Sequence, residues 1–256
     1  MQGYIYPNEY ELHWGLLVAV YPYLTGLVAG AFILASLARV FNMTEVQPTY
    51  RLSLLAALAW LIAAPLPLLA HLGHPERSFE IFLTPNVRSA MAMFGFVYAW
   101  YLMVVLLLEI WFDYRKDLVV WSRGASGVLA LVRRVMTLGA SDLSDRALRF
   151  DRSAGKLITI IGIPSAFLLH GYVGFIFGSV KANPWWSSVL MPVVFLFSAM
   201  VSGIALMLLL FMVTSMLRSK PVDMRCADKL ASLLFYALIV DFSLEMLDFT
   251  QRLYEA

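Results

Sequence analysis

The sequence predicts an all-α, polytopic membrane protein, a bundle of about six spanning helices with its N-terminus outside the cell. Composition is the first observation: of 256 residues, 61% are hydrophobic and 14% charged, against about 25% charged in an ordinary soluble protein. The second is six apolar runs, each able to cross a bilayer core of about 30 Å at about 1.5 Å per residue. The third is a one-sided distribution of positive charge.

The runs extend from His13 to Phe41, Leu52 to Gly73, Ser89 to Phe112, Leu157 to Ser179, Trp185 to Leu217 and Ala227 to Tyr254. Threading them alternately places the N-terminal tail, the loops after spans two and four, and the C-terminal end on one side. That side holds Arg77, Arg88, Lys181 and Arg252, and the other side holds the remaining fifteen of the 19 Lys and Arg residues. Excess Lys and Arg marks the cytoplasmic face. The chain reads as a single transmembrane domain over 1–256, in the cytoplasmic membrane of a prokaryote. The tail from Met1 to Leu12 has two glutamates and no Lys or Arg, so no secretory signal is read there. The cytoplasmic loop from Asp113 to Gly155 is the longest. Within it, Val128 to Leu138 reads as a short basic amphipathic helix on the membrane surface, or more plainly as a solvated connector near anionic lipid.

Some function classes drop out. Near-balanced charge, 19 Lys and Arg against 17 Asp and Glu, argues against a nucleic-acid partner. A lone cysteine, Cys226, rules out a chain-borne iron–sulfur cluster, which takes about four thiolates. Haem is not expected either, since the four histidines offer no convincing axial pair.

An ionisable side chain inside a spanning helix costs about 2.5 kcal/mol or more on insertion scales, so each needs a reason. On span six, Asp241, Glu245, Asp248 and Arg252 form one helical stripe. Asp248 and Arg252 are spaced to pair. Asp241 and Glu245 then read as an interhelical staple or as proton-handling groups, because carboxylates in low dielectric can exchange protons near neutral pH. On span four, His170 and Tyr172 lie beside glycines that allow a helix or a flat ligand to approach. They read as structural partners, or as a His and a Tyr in one cavity that hydrogen-bond a quinone carbonyl. The end of span two carries His71, His74, Glu76 and Arg77 after Pro65 and Pro67, which should bend the helix and free backbone carbonyls. On span one, Tyr21 and Tyr23 flank Pro22, in a packing or aromatic-belt role or beside a ligand. All these groups fall toward the outer side. The inner half reads as nearly bare, with Glu109 at a helix end and scattered hydroxyls such as Ser198 and Ser202.

At these residues the sequence resembles the NrfD/PsrC family, with the DsrP-like members of sulfur metabolism as its nearest subgroup. The resemblance rests on His71-Leu-Gly-His-Pro-Glu-Arg, Thr84-Pro-Asn-Val-Arg-Ser, Lys181-Ala-Asn-Pro-Trp-Trp, and a first helix with Trp14-Gly and Tyr21-Pro-Tyr-Leu-Thr-Gly-Leu-Val-Ala-Gly. It runs over essentially the whole chain, although members have eight to ten helices and six are counted here. The resemblance implies a haem-free membrane subunit exchanging electrons between the quinone pool, menaquinone or ubiquinone, and an extracytoplasmic ferredoxin-like subunit with [4Fe–4S] clusters. That subunit would link to a catalytic or cytochrome subunit. Tyr172 matches a quinone-binding tyrosine of the polysulfide reductase subunit. Tyr21 stands where that subunit has a quinone-binding histidine, and His71 where it has a helix-end glutamate proposed for proton transfer. The combined expectation is quinone binding by Tyr21, His170, Tyr172 and Arg77, with His71, Asp241 and Glu245 as proton carriers. Proton translocation and a passive anchor are the alternatives.

Overall fold

The computed structural model describes residues 14–123 and 127–255. The expected tail and the start of the first span at His13 lie outside the described residues, as do 124–126 of the expected loop. Among the described residues, six stretches are helical, long and apolar enough to cross a membrane, and there is no strand.

Helix α1 (Leu16–Arg39) is the most enclosed of the six and packs on α2 (Tyr50–Ala63), α3 (Pro65–His71), α8 (Asp145–Gly178) and α9 (Met191–Leu217). The α1–α9 crossing depends on small residues. A β-carbon on Gly203 would lie 2.5 Å from the Gly30 α-carbon and 2.9 Å from the Ala31 nitrogen. Gly26 and Gly30 on α1 therefore meet Ala199 and Gly203 on α9 at backbone distance, the small-xxx-small packing that substitutes for a hydrophobic drive in lipid.

The second span is interrupted at Ala64, where α2 gives way to α3. Pro65 has no N–H, so the Leu61 carbonyl four residues back loses its helical donor. The hydroxyl of Tyr98, on α5 (Ala90–Trp100), donates to that carbonyl. After α3, a 3-10 turn (Pro75–Arg77) and the single-turn α4 (Glu80–Leu83) lead to α5. Span three continues through a π-helical stretch, Tyr101–Leu106, into α6 (Leu107–Arg123). Beside Pro164 of α8, the Ser165 hydroxyl bonds back to the Ile161 carbonyl and accepts from the Trp100 indole at 3.1 Å.

The segment expected as a loop from Asp113 to Gly155 is mostly helix. α6 runs on to Arg123, α7 covers Gly127–Met136, and α8 starts at Asp145. Four of the segment's charged residues, Asp113, Arg115, Asp117 and Asp151, are in ion pairs. Arg115 donates to Asp151 at 2.8 and 2.5 Å and to the Asp142 carbonyl at 2.7 Å. This buried bridge ties α6 to α8. Ser144 caps α8, and hydrogen bonds from its backbone N–H and hydroxyl hold the exposed Asp142 carboxyl below the usual carboxylate range. α7 presents Val128, Leu131 and Val135 outward, and its end is held by the Trp111 indole on the Met136 carbonyl. α10 (Met224–Glu255) is the outermost span and packs mainly on α9.

Candidate functional site

Toward the end of the bundle that is poor in Lys and Arg, α1, α5 and α8 bring three aromatic side chains together. Tyr21 meets Phe94 edge-on, with centroids 5.7 Å apart, and Phe94 stacks on Tyr172 at 5.8 Å. Tyr21 is buried. Tyr172 is half-buried, donates its hydroxyl to the Ala90 carbonyl at 3.0 Å, and touches Phe175, whose ring faces out of the bundle. Helical spacing is the reason these groups converge: Ala90, Phe94 and Tyr98 follow one another at four-residue intervals on one face of α5. Sequence reading missed Phe94 and Tyr98, although that spacing was visible.

His170 does not share this cluster. It lies two positions before Tyr172, a rotation of about 200° around the helix, so the side chains take opposite faces. His170 is 3% exposed, with Nδ1 lying 3.2 Å from the Thr25 hydroxyl of α1. Its ring stacks on Phe195 of α9 at 5.5 Å and is in hydrogen-bonding reach of the Phe195 carbonyl. Gly26 leaves the room: a β-carbon there would be 3.1 Å from the imidazole. The expectation of His170 and Tyr172 in one cavity is therefore corrected. The histidine is enclosed among three helices.

His71 is exposed at the end of α3, and Arg77 is engaged with Glu80 through two hydrogen bonds of 2.9 and 3.1 Å on the outer loop. His74 sits 3.0 Å from Glu76. On α10 the stripe divides. Asp248 pairs with Arg252 at 2.7 Å and also accepts from Ser188, while Arg252 donates to the Pro184 carbonyl. This fastens the outer loop to the last helix. Asp241 is 6% exposed against α9, in reach of Ser198, with Oδ1 lacking a partner among the described residues. Glu245, a turn further out, is exposed. Since α10 packs mainly on α9, the structure does not gather Asp241 and Glu245 with Tyr21 and Tyr172.

The inner half is not bare. Because span three stays helical to Arg123, Glu109 lies within a helix rather than at its end, and it is 0% exposed. Its Oε1 accepts from Thr159 at 2.8 Å and Tyr50 at 3.2 Å. Arg39 donates to Tyr50 and pairs with Asp113, and Arg51 pairs with Asp113 and Asp117 at 2.8 Å each. Glu109 Oε2, the Tyr101 hydroxyl and the Ser53 hydroxyl are buried without hydrogen-bond partners among the described residues. The sequence signal was the acidic stripe Glu109, Asp113, Asp117 at four-residue spacing on α6.

The fold and these polar constellations define an integral membrane helical bundle. The chain matches the family described as "Polysulphide reductase, NrfD" over residues 6–254, and it belongs to that family. It is 38% identical to a selenate reductase subunit of Mesobacillus selenatarsenatis over 206 residues, which are 77% of this chain and 47% of the relative. Over 202 residues it is 30% identical to a putative dimethyl sulfoxide reductase membrane subunit of Halobacterium salinarum, covering 76% of this chain and 42% of that one. It is also 26% identical over 195 residues to the Hdr-like menaquinol oxidoreductase integral membrane subunit of Archaeoglobus fulgidus, 76% of this chain and 40% of the relative. The chain thus spans about half the length of the curated relatives it matches.

Proposed function

We infer that this chain is the membrane subunit of a respiratory redox complex and exchanges electrons and protons with a quinone of the bilayer. The observation that carries the reading is the Tyr21–Phe94–Tyr172 cluster near the outer end. Phenol hydroxyls donate hydrogen bonds to carbonyl oxygens, and a flat aromatic face suits a flat ring. Tyr172 is half-buried beside an outward-facing Phe175, and its hydroxyl would exchange the Ala90 carbonyl for an oxygen of a hydrophobic ligand arriving from lipid. Bound there, menaquinone or ubiquinone would supply the two-electron chemistry. The chain's own part is to orient the head group through Tyr21 and Tyr172 and to offer proton carriers. His71 at the outer end of α3 is the first of these, with Asp241 and Glu245 on the far side of α9 as a more distant pair.

The names of the relatives, reductase and menaquinol oxidoreductase membrane subunits, support the redox assignment. The partner in this reading is an extracytoplasmic ferredoxin-like subunit with [4Fe–4S] clusters, linked to a catalytic or cytochrome subunit. It would dock on the outer loops, where Phe79, Leu83, Val87 and Val189 are exposed, Val189 at 96%. Exposed apolar groups rimmed by charge mark interaction surfaces. The orientation follows the positive-inside rule, with the Lys/Arg-poor end outside the cytoplasmic membrane.

The test is quenching of the fluorescent quinol analogue HOQNO by the purified chain. Saturable quenching at one site, weakened at least tenfold in the Tyr21→Phe/Tyr172→Phe variant, supports the reading. Unchanged affinity in that variant, with its helix content intact, overturns the site.

A second reading, proton translocation, is favoured by one observation. The buried Glu109 and its neighbours at the inner end, together with Asp241 toward the outer end, put titratable groups at both ends of the bundle. Proton uptake by vesicles that persists in Glu109→Gln would exclude a required role for that carboxylate.

A further inference from the structure

At the Lys/Arg-rich end, the inner ends of α2, α6 and α9 and the turn between α9 and α10 enclose a cleft of about 520 Å³. Its lower wall is cationic, carrying Arg51, Arg218 and Lys220, and its upper wall is apolar, built by Leu52, Leu55 and Phe211. The cations are not equivalent. Arg51 divides its guanidinium between Asp113 and Asp117 and lies 4.5 Å over the Tyr114 ring, so its charge is largely neutralised. Arg218 and Lys220 have no ion pair among the described residues. The one carboxylate in the lining, Asp223, accepts from the backbone N–H groups of Arg225 and Cys226 as the cap of α10. Two exposed, unpaired cations are therefore held at the level where a spanning helix meets the head groups. Leu55, one turn above Arg51, is exposed and continues toward the bilayer centre through Ile62, also exposed, on the same stripe of α2.

We propose that this cleft binds one anionic glycerophospholipid, with the phosphate between Arg218 and Lys220 and an acyl chain along Leu55 and Ile62. The cations alone would suit any soluble phosphate. The apolar groove joined to them selects a ligand that is half hydrocarbon. Basic pockets between spanning helices on the positive side hold such head groups, each basic residue near the surface contributing about fivefold in affinity. The site is separate from the aromatic cluster and does not depend on the redox reading.

The experiment is native mass spectrometry of the full chain in detergent, titrated with phosphatidylglycerol or phosphatidylcholine of the same acyl length. One phosphatidylglycerol adduct at concentrations where phosphatidylcholine gives none is the expected result. In Arg218→Gln/Lys220→Gln the adduct should form about thirtyfold more weakly, and in Lys116→Gln/Lys229→Gln it should be unchanged. If the first double variant does not fold, the two single variants, each expected to be about fivefold weaker, decide the matter. Equal binding of both lipids, or equal losses in the two double variants, overturns the proposal. Displacement of the lipid by glycerol 3-phosphate at similar concentration also overturns it, in favour of a soluble anion.

Discussion

Replacing His170 by leucine should weaken the fold and spare the ligand, and replacing Tyr172 by phenylalanine should do the reverse. His170 holds α8 to α1 through Thr25 and to α9 through the Phe195 ring and carbonyl. Thr25 keeps its own bond to the Pro22 carbonyl at 3.0 Å when the imidazole is removed. The Phe195 carbonyl belongs to a helix and retains its backbone donor. The loss is thus one side-chain hydrogen bond, a weaker polar contact with the Phe195 carbonyl and a stacked ring, with no polar group newly orphaned. Interhelical hydrogen bonds in membranes average about 0.6 kcal/mol each, and the ring contact adds a similar amount, so His170→Leu should cost about 1–2 kcal/mol. Unfolding in mixed SDS and dodecyl maltoside measures that cost, and HOQNO quenching on the same samples measures ligand affinity, expected to change less than twofold. For Tyr172→Phe, unfolding should move by under about 1 kcal/mol, while affinity falls about tenfold, the worth of one hydrogen bond to a ligand. A His170→Leu protein that unfolds like the wild type but binds HOQNO tenfold more weakly would refute the reasoning, because the histidine would then be a ligand.

Three further outcomes follow from the packing. Asp151→Ala strands the Arg115 guanidinium in a buried position and should cost about 3 kcal/mol in the same unfolding assay; Arg115→Met in that background should recover most of it, since a buried charge without a partner is the source of the cost. Gly203→Val drives a side chain into the Gly30 backbone and should destabilise by at least about 2 kcal/mol, whereas Ser202→Val, one position away, should cost less than half as much. Tyr98→Phe orphans the Leu61 carbonyl that Pro65 leaves without a donor and should cost about 1–2 kcal/mol. Adding Pro65→Ala restores an N–H four residues on, so the double variant should regain at least half of that loss in thermal melting.

Much of the architecture was legible in the chain because membrane insertion is a strong and local constraint. Runs of apolar residues long enough to span, and a lopsided distribution of Lys and Arg, follow from the cost of placing charge in hydrocarbon. The break in the helix before Pro65 was legible for the same kind of reason: a missing N–H is a property of one residue. So was the Asp248–Arg252 pair, set by helical spacing alone.

The partners of polar groups were not legible. His170 and Tyr172 are neighbours in sequence, yet the helix rotates them onto opposite faces, and only the placement of α1, α5 and α9 around α8 determines that one is enclosed by Thr25 and Phe195 while the other meets Phe94. Asp113 to Gly155 looked like a solvated loop because its residues are charged. Arg115 finds Asp151 thirty-six positions away, and pairing of that kind lets both helices project past the apolar core. Glu109 looked like a helix end, and Tyr50 and Thr159 from two other helices make it the centre of a buried network. By itself the sequence determined that the chain spans a membrane, about where, and which end carries the charge, since each of those costs is set residue by residue. Tertiary structure alone decided which polar side chains are satisfied, enclosed or left facing lipid, because a hydrogen bond in a low-dielectric interior depends on what a distant helix presents to it.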